Sequence, residues 1–473
     1  MIKPDAQFDL LVLGGGIVGA GIARDAAMRK LRTGLVEQLD FASGTSSRST
    51  RLLHGGIRYL AQGRIGLVRE ASREKTILHH IAPHLADPLA FLFPAYRNRG
   101  LPLWKLRIGI KLYDLLCGRR NLGPSRHLGP SETIALLPDL ETEDLTGAVR
   151  YYDGMTNDAR LVLDTLRSAD QHGASIHNYV QFLKAIPKQD QWHCQLLDVQ
   201  SGNKFQVRTR CLANATGPWS DRVDHSQTSL RLTKGVHLIV ERARLPVPDA
   251  VVLTEGERIL FAVPWGNRLI LGTTDTDYAG PLDAVCCDEE DAAYVLESAN
   301  RAFPGAHLAA SDVLSTWAGL RPLVADRRGN PSDISRRHEI KMSHPGWWDV
   351  TGGKLTTYRL MAEETVNAMV RFLDVDTPPC RTAHKLLLER DVADGVSAIL
   401  PPKVTQAAVV HYCHSEWARH LDDVMIRRTS WRYYHRDHLE IAHRIAEWMA
   451  AELGWTEADR DEEMVRYQRL TSL

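Results

Sequence analysis

A chain of 473 residues, 44% hydrophobic and 25% charged, is too long for one small domain and has the make-up of a soluble globular protein of two or three domains. Lysine plus arginine and aspartate plus glutamate number 58 each, so bulk charge offers no case for a nucleic-acid partner, and any cationic site must be local. No apolar run reaches the ~18 residues of a bilayer span. Apolar residues begin a strand by Phe8, so no cleaved leader is expected.

Phe8-Asp9-Leu10-Leu11-Val12-Leu13 predicts a strand, and Gly14-Gly15-Gly16-Ile17-Val18-Gly19 a glycine turn that opens a small-residue helix. Gly14, Gly16 and Gly19 take the G-x-G-x-x-G positions: tight turn, close approach to a pyrophosphate, and helix–strand packing. The helix N-terminus offers N–H groups and a positive dipole end to phosphates. A second strand ends at Glu37, placed to bond ribose hydroxyls. Thr45, Ser46 and Ser47 follow in a hydroxyl-rich loop, then Leu52-Leu53-His54-Gly55-Gly56-Ile57-Arg58-Tyr59-Leu60. So dense a set of hydroxyls and glycines suits donors to a bound anion, with the leucines and Ile57 as anchors.

Helical periodicity runs from Leu67 to His80 and again from Asn157 to Gly173. Between them, Leu101 to Leu116 is apolar with basic residues interleaved. It reads either as a membrane-surface helix, with Trp104 and Tyr113 at headgroup depth, or as a packed helix with a solvated basic edge. Arg210 to Trp219 is a short strand ending in a second glycine turn at Ala215-Thr216-Gly217-Pro218-Trp219. A second such element returning to a dinucleotide site is typical of flavin-binding Rossmann domains. Residues 230–240 alternate as a strand, with His237 and Thr233 on its less apolar face, and Trp265-Gly266-Asn267 reads as a hairpin turn. Asp349 to Arg359 is strand, double-glycine turn (Gly352, Gly353), then a helix starting near Leu355, after Lys354 and with Thr356 in its first turn. Its dipole end suits negative charge on a flavin pyrimidine ring. Past Pro378-Pro379, Leu439, Ala442, Ala446, Met449 and Leu453 mark one helix stripe that stops at Gly454. His435 and His438 lie three apart there, a spacing better explained by a solvated face than by a metal. The seven cysteines, with no Cys-x-x-Cys pair, fit a reducing cytoplasm.

Taken together, Gly14–Gly21, Thr45-Ser46-Ser47, His54 to Leu60, Asp158 to Leu163, Asn214 to Trp219, Lys234 to His237, Gly272 to Asp275, Arg321-Pro322-Leu323 and Gly352 to Arg359 resemble the flavin-linked, respiratory sn-glycerol-3-phosphate dehydrogenase family. The likeness covers about residues 8 to 370 in the family's order. Glu416 to Thr429 looks like the family's C-terminal helical domain, and the stretch 380–404 is shorter than usual.

The resemblance implies an α/β fold: a Rossmann-like FAD-binding domain (1–75, 145–217, 319–375), an inserted antiparallel-sheet substrate domain (76–144, 218–318) and a C-terminal helical domain (380–473). It implies non-covalent FAD, a homodimer, oxidation of glycerol 3-phosphate to dihydroxyacetone phosphate, quinone as acceptor, and a cytoplasmic protein attached peripherally to the inner membrane. FAD contacts are expected from Gly14, Gly15, Gly16, Ile17, Gly19, Glu37, Thr45, Ser46, Ser47, Leu53, His54, Gly55, Gly56, Ala215, Gly217, Trp219, Gly352, Gly353, Lys354, Leu355 and Thr356. The substrate is a small dianion, so Arg58, Arg336 and Lys354, with Tyr59, are expected on phosphate. His237, the natural base by type, and Arg321 are expected at C2. Three readings compete: a glycerophosphate oxidase using oxygen, an amine or hydroxy-acid oxidase of the same fold, and a non-catalytic flavoprotein. No metal is expected.

Overall fold

The structure, a computed structural model, describes residues 2–56, 64–117, 122–255, 258–324, 338–389 and 394–471. In chain order β1 (Gln7–Leu13) runs into α1 (Ile17–Met28), and β2 (Thr33–Val36) returns beside it. After β3 (Leu52–Leu53) come α2 (Ile65–Ile81), β4 (Asp87–Tyr96), α3 (Leu103–Cys117), β5 (Arg126–Leu128), α4 (Pro130–Leu136) and β6 (Leu145–Met155). The helix α5 (Asp158–Gln171) leads to β7 (Ser175–His177), β8 (Val180–Lys188), β9 (Gln191–Asp198) and β10 (Lys204–Asn214). Then follow β11 (Leu230–Glu241), β12 (Ala250–Glu255), β13 (Arg258–Trp265), β14 (Arg268–Gly272), β15 (Thr276–Asp277), α6 (Glu289–Ala302) and β16 (Val313–Val324). The chain closes with β17 (His338–His344), β18 (Trp347–Gly352), α7 (Tyr358–Leu373), α8 (Gln406–Ser415), α9 (Trp431–Tyr434), α10 (His438–Leu453) and α11 (Glu457–Thr471).

Among the described residues the strands form two sheets. The first has the order β17-β18-β10-β1-β2-β7, with β9 and β8 continuing from β10. Its central strands β18, β10, β1, β2 and β7 are parallel. Parallel strands need covering on both faces, which explains why β1 and β2 are buried almost throughout. Helices α1, α5 and α7 cover one face and bury a core that includes Leu10, Val12, Ile22, Leu163, Leu166, Met361 and Val366. Asn157 starts α5 by accepting the Arg160 N–H at 3.3 Å.

The second sheet has the order β15-β11-β14-β13-β12-β4-β6-β3, with β16 on β11 and β5 on β6. It is antiparallel except for the β4–β12 pair, which is parallel. Trp265 pairs with Arg268 across Gly266-Asn267, the expected hairpin. β6 (145–155) and β16 (313–324), which include segments assigned above to the FAD-binding domain, are strands of the second sheet. Their alternation reads the same in either sheet; only the partner strand decides.

The C-terminal helices build their own core around Val409, Tyr412, Ile441, Ile445 and Met449. In α10 the buried stripe includes Ile441 and Ile445, while Leu439, expected inside, is exposed; Gly454 ends the helix in the left-handed conformation. Long-range ion pairs seat this domain on the first sheet. Arg160 clamps Glu416 at 2.6 and 2.8 Å, and Arg427 and Arg428 both engage Asp40. All five side chains are buried. No described helix is long and apolar enough to cross a membrane.

Candidate active site

The carboxyl ends of the parallel strands and the inner face of β11 and β16 enclose a cavity of about 1080 Å³. Leu13, Val36, Ala215 and Val350 mark the strand ends on one wall; Gly235, His237, Gly319 and Arg321 mark the opposite one. In a doubly wound sheet this is where ligands bind, beyond the strand ends where the strand order reverses.

One end of the cavity is built from backbone. Gly14 has φ +104°, and a Cβ there would meet the Ala215 carbonyl oxygen at 2.7 Å. A Cβ on Gly19 would strike the Gly14 carbonyl oxygen, so the first turn of α1 sits directly under the loop. Gly16 lines the cavity, and among the described residues only Ser46 Oγ, at 3.2 Å, comes near the site of a Cβ. Ser46 Oγ accepts the Ile17 N–H at 3.1 Å. The Glu37 carboxylate accepts the N–H groups of Gly15 and Leu39 at 2.8 and 2.9 Å, and burial pushes its pKa up. Leu39, Val180 and Phe182 add an apolar slot beside it.

The remainder is built from side chains. Arg321 reaches over Gly235, donating to Thr274 O and Asp275 Oδ1, each at 3.1 Å, and to Thr273 Oγ1 at 2.9 Å. His237 is buried on β11, with Nε2 2.8 Å from Thr50 Oγ1 and its ring stacked on Trp317 at 5.4 Å. His237 and Thr233, on the less apolar face of β11, are both buried, and Trp317 of the neighbouring strand β16 lies opposite His237 on that face. Burial, then the nearby Arg321 and Arg51 cations, hold the His237 pKa well below its ordinary value, so the ring is neutral. Arg51 is sandwiched by Trp265 and Trp317 at 4.3 and 5.1 Å.

The Gly352-Gly353 turn leads through Lys354 to a 3₁₀ turn at Leu355–Thr357, and the α-helix proper starts at Tyr358 rather than near Leu355. Thr356 Oγ1 accepts the His54 N–H at 3.2 Å, tying this turn to the glycine segment. The same segment is held from below: Asp153 Oδ1 accepts from Lys75 Nζ at 2.6 Å, Tyr113 OH at 2.5 Å and the Gly55 N–H at 3.3 Å.

Of the expected cofactor residues, Gly14, Gly16, Ile17, Glu37, Thr45, Ser46, His54, Gly56, Ala215, Gly217, Trp219, Gly352, Gly353, Lys354, Leu355 and Thr356 line the cavity. Gly15, Gly19, Ser47, Leu53 and Gly55 do not. The space a Gly15 Cβ would take is filled by Phe41 and Glu37, and Gly55 packs on the Tyr113 hydroxyl; these residues support the walls. His237, Arg321 and Lys354 meet at one cavity. Arg58, Tyr59 and Arg336 lie outside the described residues. Sequence reasoning did not single out Thr50, Asp153 or Trp317. Only Thr50 carried a signal, as one more hydroxyl in the run after Ser46.

Residues 9–367 match the family described as FAD dependent oxidoreductase, and 383–460 match the C-terminal domain of alpha-glycerophosphate oxidase. The chain is 34% identical to glycerol-3-phosphate dehydrogenase 2 of Mycobacterium tuberculosis, across 98% of this chain and 87% of that protein. The chain belongs to the FAD-dependent glycerol-3-phosphate dehydrogenase family. It is also 37% identical to the aerobic glycerol-3-phosphate dehydrogenase of Staphylococcus aureus, over 82% of this chain and 72% of that one. A Bacillus halodurans glycerol-3-phosphate dehydrogenase solved with FAD superimposes with a TM-score of 0.78 at 29% identity, covering 98% of this chain and 94% of that chain. The family's cofactor, FAD, fits what is here. The open Gly16 approach at a helix N-terminus suits a pyrophosphate, the fixed Glu37 carboxylate a ribose, and the apolar slot an adenine.

Proposed function

We propose that this protein oxidises sn-glycerol 3-phosphate to dihydroxyacetone phosphate. The observation that carries this reading is a guanidinium, Arg321, braced over the cavity by three oxygens opposite the glycine turn that presents Lys354. A braced cation loses little entropy when it meets an oxygen that gains negative charge. The bound flavin supplies a two-electron acceptor for hydride at N5. Glu37 and the Gly14–Gly16 loop would hold its ADP end, and the Gly352–Thr356 turn its pyrimidine end. Lys354, with Arg58, Tyr59 and Arg336, would hold the phosphate, while Arg321 and His237 serve the C2 hydroxyl. Arg321 and Lys354 at one cavity, with Arg58 and Arg336 as further candidates, suit a phosphate better than the carboxylate of an amino acid. Anaerobic addition of glycerol 3-phosphate should bleach the flavin absorbance within seconds, and glycine or sarcosine should not. No bleaching by glycerol 3-phosphate would remove this assignment.

We further propose that electrons pass to a membrane quinone, and that a homodimer docks peripherally on the inner membrane. The support is α3. Leu106, Ile110 and Tyr113 pack inward, while Trp104, Ile108 and Leu115 are 60%, 61% and 76% exposed among Lys105, Arg107 and Lys111. Exposed apolar groups fringed by cations suit the interface of an anionic bilayer. A quinone-coupled assay run beside a peroxide assay separates this acceptor from oxygen.

A further inference from the structure

His237 lines the cavity, yet neither ring nitrogen opens onto it. Nδ1 is buried and has no hydrogen-bond partner among the described residues. Nε2 is taken by the Thr50 hydroxyl at 2.8 Å. The ring is wedged between Trp317, stacked at 5.4 Å, and Gly272, where even a Cβ would come within 2.6 Å of Cδ2. Thr50 is half-buried and lines the same cavity. The order from cavity to core is therefore Thr50 hydroxyl, His237 Nε2, His237 Nδ1. A β-branched threonine has few side-chain rotamers, so its hydroxyl is held in that place.

We propose that Thr50 is the residue that meets the substrate hydroxyl, and that it relays the hydroxyl proton to His237. The inference rests on the alcohol oxidation proposed above. The electron pair of the C2–H bond leaves as hydride to the flavin, and C2–O becomes a carbonyl. The substrate O–H proton passes to Thr50 Oγ1 as the Thr50 proton passes to His237 Nε2. Thr50 ends neutral and the ring ends as imidazolium. For this direction the resting ring carries its hydrogen on Nδ1. The groups facing the new positive charge are Arg321, paired with Asp275 at 3.1 Å, and Arg51, 3.9 Å from Asp158. Both cations disfavour a persistent imidazolium, so the proton returns through Thr50 once the product has left.

The test uses the FAD-loaded protein and the anaerobic rate of flavin reduction by glycerol 3-phosphate. Thr50→Val removes the hydroxyl and keeps the shape; Thr50→Ser restores it. Thr50→Val should reduce about 10²-fold slower, Thr50→Ser near the wild-type rate, and FAD affinity should stay constant. Combining Thr50→Val with His237→Ala should add little to the slower single change, because the two act as one unit. Without any variant, a proton inventory on the wild type should be curved, as for two protons in flight. Nitrogen NMR should show a hydrogen-bonded His237 Nε2 that changes in Thr50→Val and not in Thr50→Ser. A Thr50→Val rate equal to wild type, independent penalties, or a linear inventory would overturn the relay. If wild-type flavin is not bleached at all, the proposed oxidation fails and takes the relay with it; if only the variants disagree, the relay alone fails.

Discussion

The two ends of the cavity are made in different ways. The end proposed for ADP is lined by backbone groups of one βαβ unit, and Glu37 is fixed by the N–H groups of Gly15 and Leu39. The end proposed for the substrate is lined by side chains from β11, β16 and two loops, and Thr50 meets His237 across 187 residues. The first kind of site is a local property of the chain. The second exists only once two sheets face each other. The ADP end also has a remote support, since Asp40, three residues past Glu37, is held by Arg427 and Arg428 of the C-terminal domain. Substitutions should therefore separate the ends: some release the cofactor, others stop the chemistry with the cofactor in place.

The largest effect is expected from Arg428→Ala. It leaves Asp40 as a buried, half-paired charge, and breaking such a pair costs about 3–5 kcal/mol. Denaturant unfolding should show that loss and flavin fluorescence a weakened FAD, and an unchanged midpoint would mean that the C-terminal domain does not support this end. Arg321→Ala is the converse. The rate of flavin reduction should fall about 10²–10³-fold, with FAD binding intact; loss of FAD instead would erase the distinction between the ends.

Gly19→Ala tests the backbone end alone. Its methyl group strikes the Gly14 carbonyl, and overpacking of this kind costs about 1–3 kcal/mol. FAD should dissociate more readily, while substrate reduction of what remains bound keeps its rate.

Acid should act on support rather than on chemistry. Burial lowers the pKa of His79 and His177 to about 4, and the unfolded chain takes up those protons near 6.5. The unfolded state thus binds more protons between pH 6.5 and 4, and stability falls as pH drops through that window. Glu416, held below the usual carboxylate range by Arg160 against its own burial, extends the loss below about pH 4. Thermal unfolding across pH 7 to 3 checks this; a flat profile would contradict it. The smallest effect on either end is expected from the pair Trp104→Glu and Leu112→Glu. Turnover with a soluble acceptor should be unchanged and co-sedimentation with anionic vesicles lost.

Much of this was legible in the residues because it is written locally. A strand, a glycine turn, a helix of small residues and a terminal acid occupy consecutive positions, and their geometry follows from sterics at Gly14 and Gly19. The hairpin at Gly266-Asn267 and the stop at Gly454 are local in the same way. The family resemblance also brought His237, Arg321 and Lys354 forward as partners, and all three line one cavity. It could not say which atom of His237 faces inward, nor that Thr50 stands in front of it.

By itself, then, the sequence determined the strand–glycine turn–helix of the first forty residues, the family and the types of residue available for chemistry, because backbone turns and residue types are settled over short distances along the chain. Only the tertiary structure decided which sheet β6 and β16 join, that Arg427 and Arg428 reach back to Asp40, and that Thr50 covers His237 Nε2. Those contacts join residues far apart in the chain, and their energies come from burial and pairing that no local pattern encodes.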